Sequence, residues 1–299
     1  INLEDGKVKK FKFYRAVIKS IARLTYQEAE NIFLEKNKNN KLFPIILNLF
    51  NTFKVLQENS KKRNKISFDP DEYIVQTNNK KEINIIKKKK LESYKLIEEF
   101  MVLANTIVGH YLKINNIKSV FRNHEKPPNE KTKILKEIIS EYNLNHSGSF
   151  NSQHDFNKII EILKENKISF LNDMLLRSQS RAFYGTENKG HFGLSLDYYV
   201  HFTSPIRRYS DLVVHRDLID CYFMKKKNSR IEFTEHLNTQ EKKADSMERV
   251  IFDDFRSELH VSSSVFFDNA AVSAGGAIFV SQSFLTISGS QFGDKWIRN

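Results

Sequence analysis

Apolar positions recur at three- and four-residue spacing through much of the first 260 residues. That is the period of helices turning one face to a core. The clearest run is Ser93 to Lys113, where Leu96, Ile97, Phe100, Ala104, Ile107, Val108 and Tyr111 hold the spacing. Thr25 and Glu28 stand at capping-box spacing ahead of Ala29, Ile32 and Phe33, which predicts a helix start there. Lys131 to Tyr142 and Phe156 to Lys167 predict two more helices. Ile66–Phe68 reads as a short strand, and Phe192–Leu194, which lacks a helical period, as strand and turn. Ser204 and Pro205 predict the start of a further helix running to about Phe223. Serine is a good N-cap, and proline suits the first helical position because its missing N–H costs nothing there. The expected class is α+β, rich in helix.

Composition shifts near residue 260. Residues 261–299 hold Gly275, Gly276, Gly289 and Gly293, many Ser and Ala, and charges that cancel (Asp268, Asp294, Lys295, Arg298). Two regions are therefore expected, 1–260 and a β-prone or disordered tail at 261–299. The whole formal charge of +12 belongs to the first. A basic excess of that size favours a polyanionic partner. The lysine-rich stretches Asn37–Lys41 and Lys87–Lys90 read equally well as part of that basic surface or as solvated faces that reflect genome composition. Cys221, the one cysteine, excludes an internal disulfide and fits a reducing, cytoplasmic setting. No apolar run approaches the ~18–20 residues of a membrane span. With 299 residues and Ile at position 1, the chain reads as part of something longer.

The candidate chemistry lies between Ser204 and Arg216. A helix N-terminus offers free N–H groups and partial positive charge to an anion. Arg207 and Arg208 in that first turn would add two guanidiniums with bidentate reach to phosphate. Asp211 is three and four residues further on, so it can orient one of them. His215 falls roughly on the same side. The alternative is a surface helix with an ordinary ion pair. Glu98 and Asn105 are two turns apart on one side of an otherwise apolar helix, which calls for a buried hydrogen bond or a ligand contact.

The run Thr203-Ser-Pro-Ile-Arg-Arg-Tyr-Ser-Asp-Leu-Val-Val-His-Arg216, with Gly190–Tyr199 before it, resembles the signature of the ribonuclease II/ribonuclease R catalytic domain, the RNB domain. Ser20–Tyr26, Leu96–Asn105, Arg122–Pro127 and Glu241–Asp245 agree in the family's order. The resemblance implies the C-terminal two-thirds of a helix-rich RNB domain over about residues 1–256. It implies a hydrolytic 3′→5′ exoribonuclease that releases nucleoside 5′-monophosphates from single-stranded RNA, acting as a monomer. By the same resemblance Arg207 is the catalytic arginine on the scissile phosphate. Phe68 stacks on bases, a core aromatic being the other reading. Glu98 touches the terminal nucleotide, and Glu241 is a second acid of the site. Ser204 and Arg208 would join in holding phosphate, with Tyr209, Asp211, His215, Arg216 and Asn105 in support. The family's Mg²⁺ ions sit in an aspartate cluster that precedes the Ala22–Tyr26 motif, and no metal ligand is assigned here. The expectation is that a longer parent degrades RNA and that these residues alone do not. A rival from another class is a catalytically dead RNA-binding protein.

The tail follows a different pattern. Phe266–Asn269 and Gly275–Ile278 resemble the Phe-x-x-Asn and Gly-Gly-Ala-Ile repeat of chlamydial-type polymorphic outer-membrane proteins, which are parallel β-helices. A second copy would begin at Phe292, 26 residues after Phe266. One and a half such repeats should not fold alone, because repeats bury their faces by stacking. A fusion of two reading frames is one reading of this junction, and a surface-adhesion protein is a weaker one.

Overall fold

The computed structural model describes residues 1–4, 6–68, 73–77, 83–87, 89–142, 144, 148–166, 168, 171–226 and 233–256, and four short strands beyond them. They fall into two compact units. The first joins Ile1–Ile74 to Ile86–Asn238, and the second joins Val75–Ile85 to Thr239–Asn299.

The first unit is built on helices, as the apolar period predicts. A small antiparallel pair, β1 (Asn2–Glu4) and β2 (Lys7–Lys10), leads to α1 (Tyr26–Glu35). Thr25 caps α1 in a full capping box: its hydroxyl accepts from the Glu28 N–H, and the Glu28 carboxylate accepts from the Thr25 N–H. Next comes α2 (Phe43–Lys62), whose Phe43, Ile46, Phe50, Phe53 and Leu56 lie buried at helical spacing. In the chain, the paired strands β3 (Tyr73–Thr77) and β4 (Ile83–Lys87), which fall mostly in the second unit, come between it and α3 (Glu92–Ile114). The chain continues through β5 (Phe121–Asn123), α4 (Asn129–Glu141), α5 (Gln153–Glu165), α6 (Leu171–Ser178) and β6 (Phe183–Gly185). The last helices are α7 (Tyr209–Leu218) and α8 (Thr234–Arg256), of which α8 belongs to the first unit only as far as Asn238. No helix among the described residues is long and apolar enough to cross a membrane.

α3 is the spine of this unit. Its first half packs with α1 and α2 through Leu96, Ile46, Phe50 and Phe53. Its second half packs through Val108 and Leu112 on Phe121, Val200, Val214 and Leu218. A separate cluster joins α4, α5 and α6 around Phe150, Phe156, Ile159 and Leu163, and takes in Ile66 and Phe192. β5 and β6 pair antiparallel, Phe121 opposite Gly185 and Asn123 opposite Phe183. The Asn238 amide closes the outer edge of β6. Its oxygen accepts from the Tyr184 N–H at 2.7 Å and its nitrogen donates to the Tyr184 carbonyl at 2.9 Å.

Three local expectations are corrected. Ser204 does not cap a helix. Arg207 N–H and Arg208 N–H both donate to the Ser204 carbonyl, which closes a turn, and Arg208 is extended (φ −127°, ψ 122°). The helix starts only at Tyr209, so Arg207 and Arg208 precede it, and at Leu218 it widens into a π-turn over Ile219–Phe223. Ile66–Phe68 is not a strand: it is extended chain, anchored where the Ile66 N–H donates to the Gly193 carbonyl at 2.9 Å. Phe192–Leu194 is a 3₁₀ turn, and isolated bridges from His191 to His124 and Leu196 flank it.

In the second unit, β7 (Leu259–Ser262) pairs parallel with β9 (Leu285–Ser288), and β8 (Val265–Phe266) with β10 (Gln291–Phe292). Leu259 faces Leu285 and Phe266 faces Phe292, so each partner lies 26 residues further along the chain. A parallel register with that constant offset is the geometry of one coil laid on the next. Asn269 and Gly275–Ile278 lie outside the described residues.

Phe156 is fully buried, with its ring centroid 5.1 Å from that of Phe150 and 6.2 Å from that of Phe192. Phe156→Ala is expected to cost about 3–5 kcal/mol, the usual cavity penalty, measured as the shift of a urea unfolding curve.

Candidate functional site

Two constellations carry the polar chemistry of the first unit. One is the turn that presents Arg207. Its residues Ile206 and Arg207 are exposed, Ile206 almost completely (97%). The Arg207 guanidinium makes no hydrogen bond or ion pair among the described residues. Buried side chains hold the backbone behind it. Asn105, 2% exposed, accepts from the N–H groups of Phe202 and Thr203 at 3.0 and 3.2 Å and donates to the Tyr199 hydroxyl at 3.1 Å. One turn along α3, Gly109 lets the chain at Tyr198 and Tyr199 come close; a Cβ there would meet backbone at 3.2–3.4 Å. His215 donates from Nε2 to the Phe202 carbonyl at 2.9 Å, and its ring lies flat on Phe202 at 4.0 Å.

Asp211 closes the turn. Its side chain is fully buried and accepts the Ser204 N–H at 2.7 Å. It also takes the Arg208 fork, Nε at 2.8 Å and Nη2 at 2.9 Å. Burial alone would raise its pKa, but the bonds from Arg208 and Ser204 outweigh that and hold it below the usual carboxylate range. Of the two arginines, Arg208 is thus bound to protein and Arg207 is the one offered to solvent. Tyr209 and Arg216 sit on the exposed face of α7, the guanidinium 5.8 Å from the ring centroid.

The second constellation is a cleft of about 870 Å³. Phe68 and Glu98, 30 residues apart in sequence, both line it, with Phe53, Tyr94, His124 and His191 and the lysines Lys61, Lys65, Lys89, Lys90, Lys95 and Lys164. Phe68 is half-buried and packs against the α4–α6 core, so it serves as core edge and cleft wall together. Glu98 is exposed toward the cleft, while its neighbour Glu99 is buried. Asn105 does not reach the cleft, although it shares a helix with Glu98; its polarity is spent on the Phe202–Thr203 backbone. Arg207 and Arg208 do not line the cleft either. Glu241 lies on α8 in the second unit.

A ladder of buried rings runs from the cleft toward the turn. His124 and His191 are 5.0 Å apart between centroids, His191 and Tyr199 5.1 Å, Tyr199 and His201 5.9 Å. His124 and His191 are neutral by geometry. His124 Nδ1 accepts the Gly193 N–H at 2.9 Å while Nε2 donates to the Ser180 carbonyl at 2.8 Å. His191 Nδ1 accepts the Leu194 N–H, and His201 Nδ1 shares a hydrogen bond with the Tyr184 hydroxyl at 2.8 Å. Burial pushes His191 and His201 down to about 3, with nearby cations adding to the effect. The sequence reading assigned none of these histidines, nor Lys65 and Glu99. For His191 and His201 the signal was the density of His and Tyr in Gly190–His201.

Among the described residues no three His, Cys, Asp or Glu side chains gather to hold a metal. The Mg²⁺ implied by the resemblance needs several oxygen ligands at once, and no such set is found among the described residues.

A model of the RNB domain matches residues 2–223. The chain belongs to the ribonuclease II/ribonuclease R family. Ribonuclease R of Chlamydia pneumoniae is 33% identical over 220 residues, which are 73% of this chain and 32% of that protein. Mycoplasma genitalium RNase R in complex with ribose-methylated single-stranded RNA is 26% identical, with a TM-score of 0.74 over 85% of this chain and 42% of the other. The same enzyme with double-stranded RNA is 25% identical, with a TM-score of 0.78 over 85% and 48%. The chain spans about a third of the length of the curated relative and less than half of the solved ones.

The buried histidines set an acid limit. Below about pH 6.5 the unfolded chain binds a proton on each, and the folded chain does not until about pH 3. Stability is therefore full above about 6.5 and falls as the pH drops toward 3, by roughly 1 kcal/mol per pH unit per histidine. Urea unfolding at pH 7.5 and pH 5 checks this, and His201→Gln should flatten the dependence. Asp211→Asn should cost about 3 kcal/mol, because it leaves Arg208 and the Ser204 N–H without their charged partner; thermal melts measure it.

Proposed function

We propose that the chain is the RNA-gripping portion of a hydrolytic 3′→5′ exoribonuclease that releases nucleoside 5′-monophosphates. The observation that carries this reading is the cleft: it brings Phe68 and Glu98 together inside a rim of lysines. An aromatic face stacks on a base of any sequence, and lysines track the phosphate backbone. Arg207 supplies what the lysines lack, a planar fork for one phosphate. It is free to do so because Asp211 is already satisfied by Arg208 and the Ser204 N–H. The solved M. genitalium enzyme with single-stranded RNA supports RNA as the ligand class.

The chemistry of hydrolysis belongs to the longer protein. Mg²⁺ needs several oxygen ligands at once, and the described residues bring no such set together. In the parent, bound Mg²⁺ would activate water and stabilise the leaving oxygen. This chain's own share is to hold the strand, with Arg207 on the scissile phosphate, Phe68 against a base and Glu98 beside the terminal nucleotide. Ser204, Arg208, Asp211, His215 and Asn105 keep the arginine turn in place.

The 299-residue chain with Mg²⁺ and a labelled single-stranded RNA should bind and release no mononucleotides; sustained release would overturn this division of labour. Fluorescence anisotropy across a salt series should show affinity falling steeply with salt. Arg207→Ala should bind several-fold more weakly at low salt, with a slope shallower by about 0.7, the loss of one phosphate contact on a single strand.

A further inference from the structure

Lys65 stands at the floor of the cleft, and its backbone is fixed by the way α2 ends. Asn64 takes the left-handed conformation (φ 61°) just past the helix. The Lys65 N–H then donates to the Ser60 carbonyl at 3.0 Å and the Asn64 N–H to the Lys61 carbonyl at 2.9 Å. This is the double closure of a Schellman end. The Asn157 side chain pins the same two residues by donating to the Asn64 and Lys65 carbonyls. The Lys65 ammonium reaches α3, 2.7 Å from Glu98 Oε1 and 2.8 Å from Glu99 Oε1.

The two carboxylates are not equivalent. Glu99 is 9% exposed at its side chain and spends its other oxygen on the Ser60 hydroxyl at 2.7 Å. Glu98 is 55% exposed, and its Oε2 makes no hydrogen bond among the described residues. Lys65 itself is only 15% exposed, with two of its three N–H directions taken. Burial alone would push its pKa down, but the two carboxylates outweigh that and hold it up, so the ammonium stays charged.

We propose that Lys65 is a positioning residue that, anchored by Glu99, holds the Glu98 carboxylate with one free oxygen facing the cleft, where it selects an RNA end that carries ribose hydroxyls over one that carries phosphate. An ionised carboxylate is an acceptor only, so it takes hydroxyl donors and repels phosphate. Without Lys65, the Glu98 side chain turns freely on an exposed helix surface, and the selection is lost. The inference rests on the cleft being the RNA site proposed above.

The test uses the 299-residue chain and two labelled single-stranded RNAs of one sequence, ending in a 3′-hydroxyl or a 3′-phosphate. The unchanged protein should prefer the hydroxyl end by about tenfold, the scale of one charge-assisted hydrogen bond. Lys65→Met and Glu98→Gln should each remove the preference, and the double variant should lose no more. Lys65→Arg should keep most of it. If Lys65→Met weakens both RNAs equally and the preference stays, Lys65 touches phosphate or only supports the fold, and the proposal fails. Should Lys65→Met not fold, Lys65→Met with Glu99→Gln removes both buried charges together and carries the same readout. Binding of both RNAs by the unchanged protein without preference defeats this inference alone. Binding of neither defeats the RNA reading beneath it.

Discussion

A guanidinium can be offered to solvent only if the backbone that carries it is satisfied by something else. This constraint organises the first unit. The Phe202–Arg208 segment leaves β-pairing behind and has not yet entered a helix, so its N–H and C=O groups need side-chain partners. Asn105 takes two N–H groups, Asp211 takes a third, and His215 serves a carbonyl. Each partner is buried or half-buried, where an unmade bond would be expensive. Arg208 neutralises the buried Asp211, which leaves Arg207 as the arginine of the pair with no hydrogen bond or ion pair among the described residues.

The same logic explains the role of α3. It brings Glu98 to the cleft at one end and Asn105 to the arginine turn at its middle, two turns apart. Gly109 makes the second contact possible by removing the Cβ that would keep the Tyr198–Tyr199 backbone away. The ring ladder through His191, Tyr199 and His201 fills the space between cleft and turn with groups that stay neutral in the fold. A charged His191 would face Arg122 and lose the Leu194 N–H it accepts, and a charged His201 would face Arg208 and Arg122.

Much of the helical framework was legible because it rests on local periodicity. α3, α4 and α5 start and end within a few residues of their apolar pattern, and the capping box of α1 is complete. α2 carries an equally clear pattern in Phe43, Ile46, Phe50, Phe53 and Leu56, but its Asn- and Lys-rich flanks hid it. Ser204-Pro205 misled for a physical reason: the dipeptide does favour a helix start, but Asp211 pulls the Ser204 N–H and the Arg208 fork together and closes a turn first. The 26-residue spacing of Phe266 and Phe292 reappears as a parallel register, because a repeat is itself a local signal.

The sequence by itself determined the family, the helix-rich class and the pairing of Asp211 with an arginine. Motif spacing and helical period are short-range properties, and they survive without a fold. Only the tertiary structure decided which arginine is free, that Phe68 and Glu98 share one cleft, that Asn105 serves the backbone and not the ligand, and that Lys65 and Glu99 stand behind Glu98. These depend on which segments, distant in the chain, are brought within hydrogen-bond reach, and burial alone sets that.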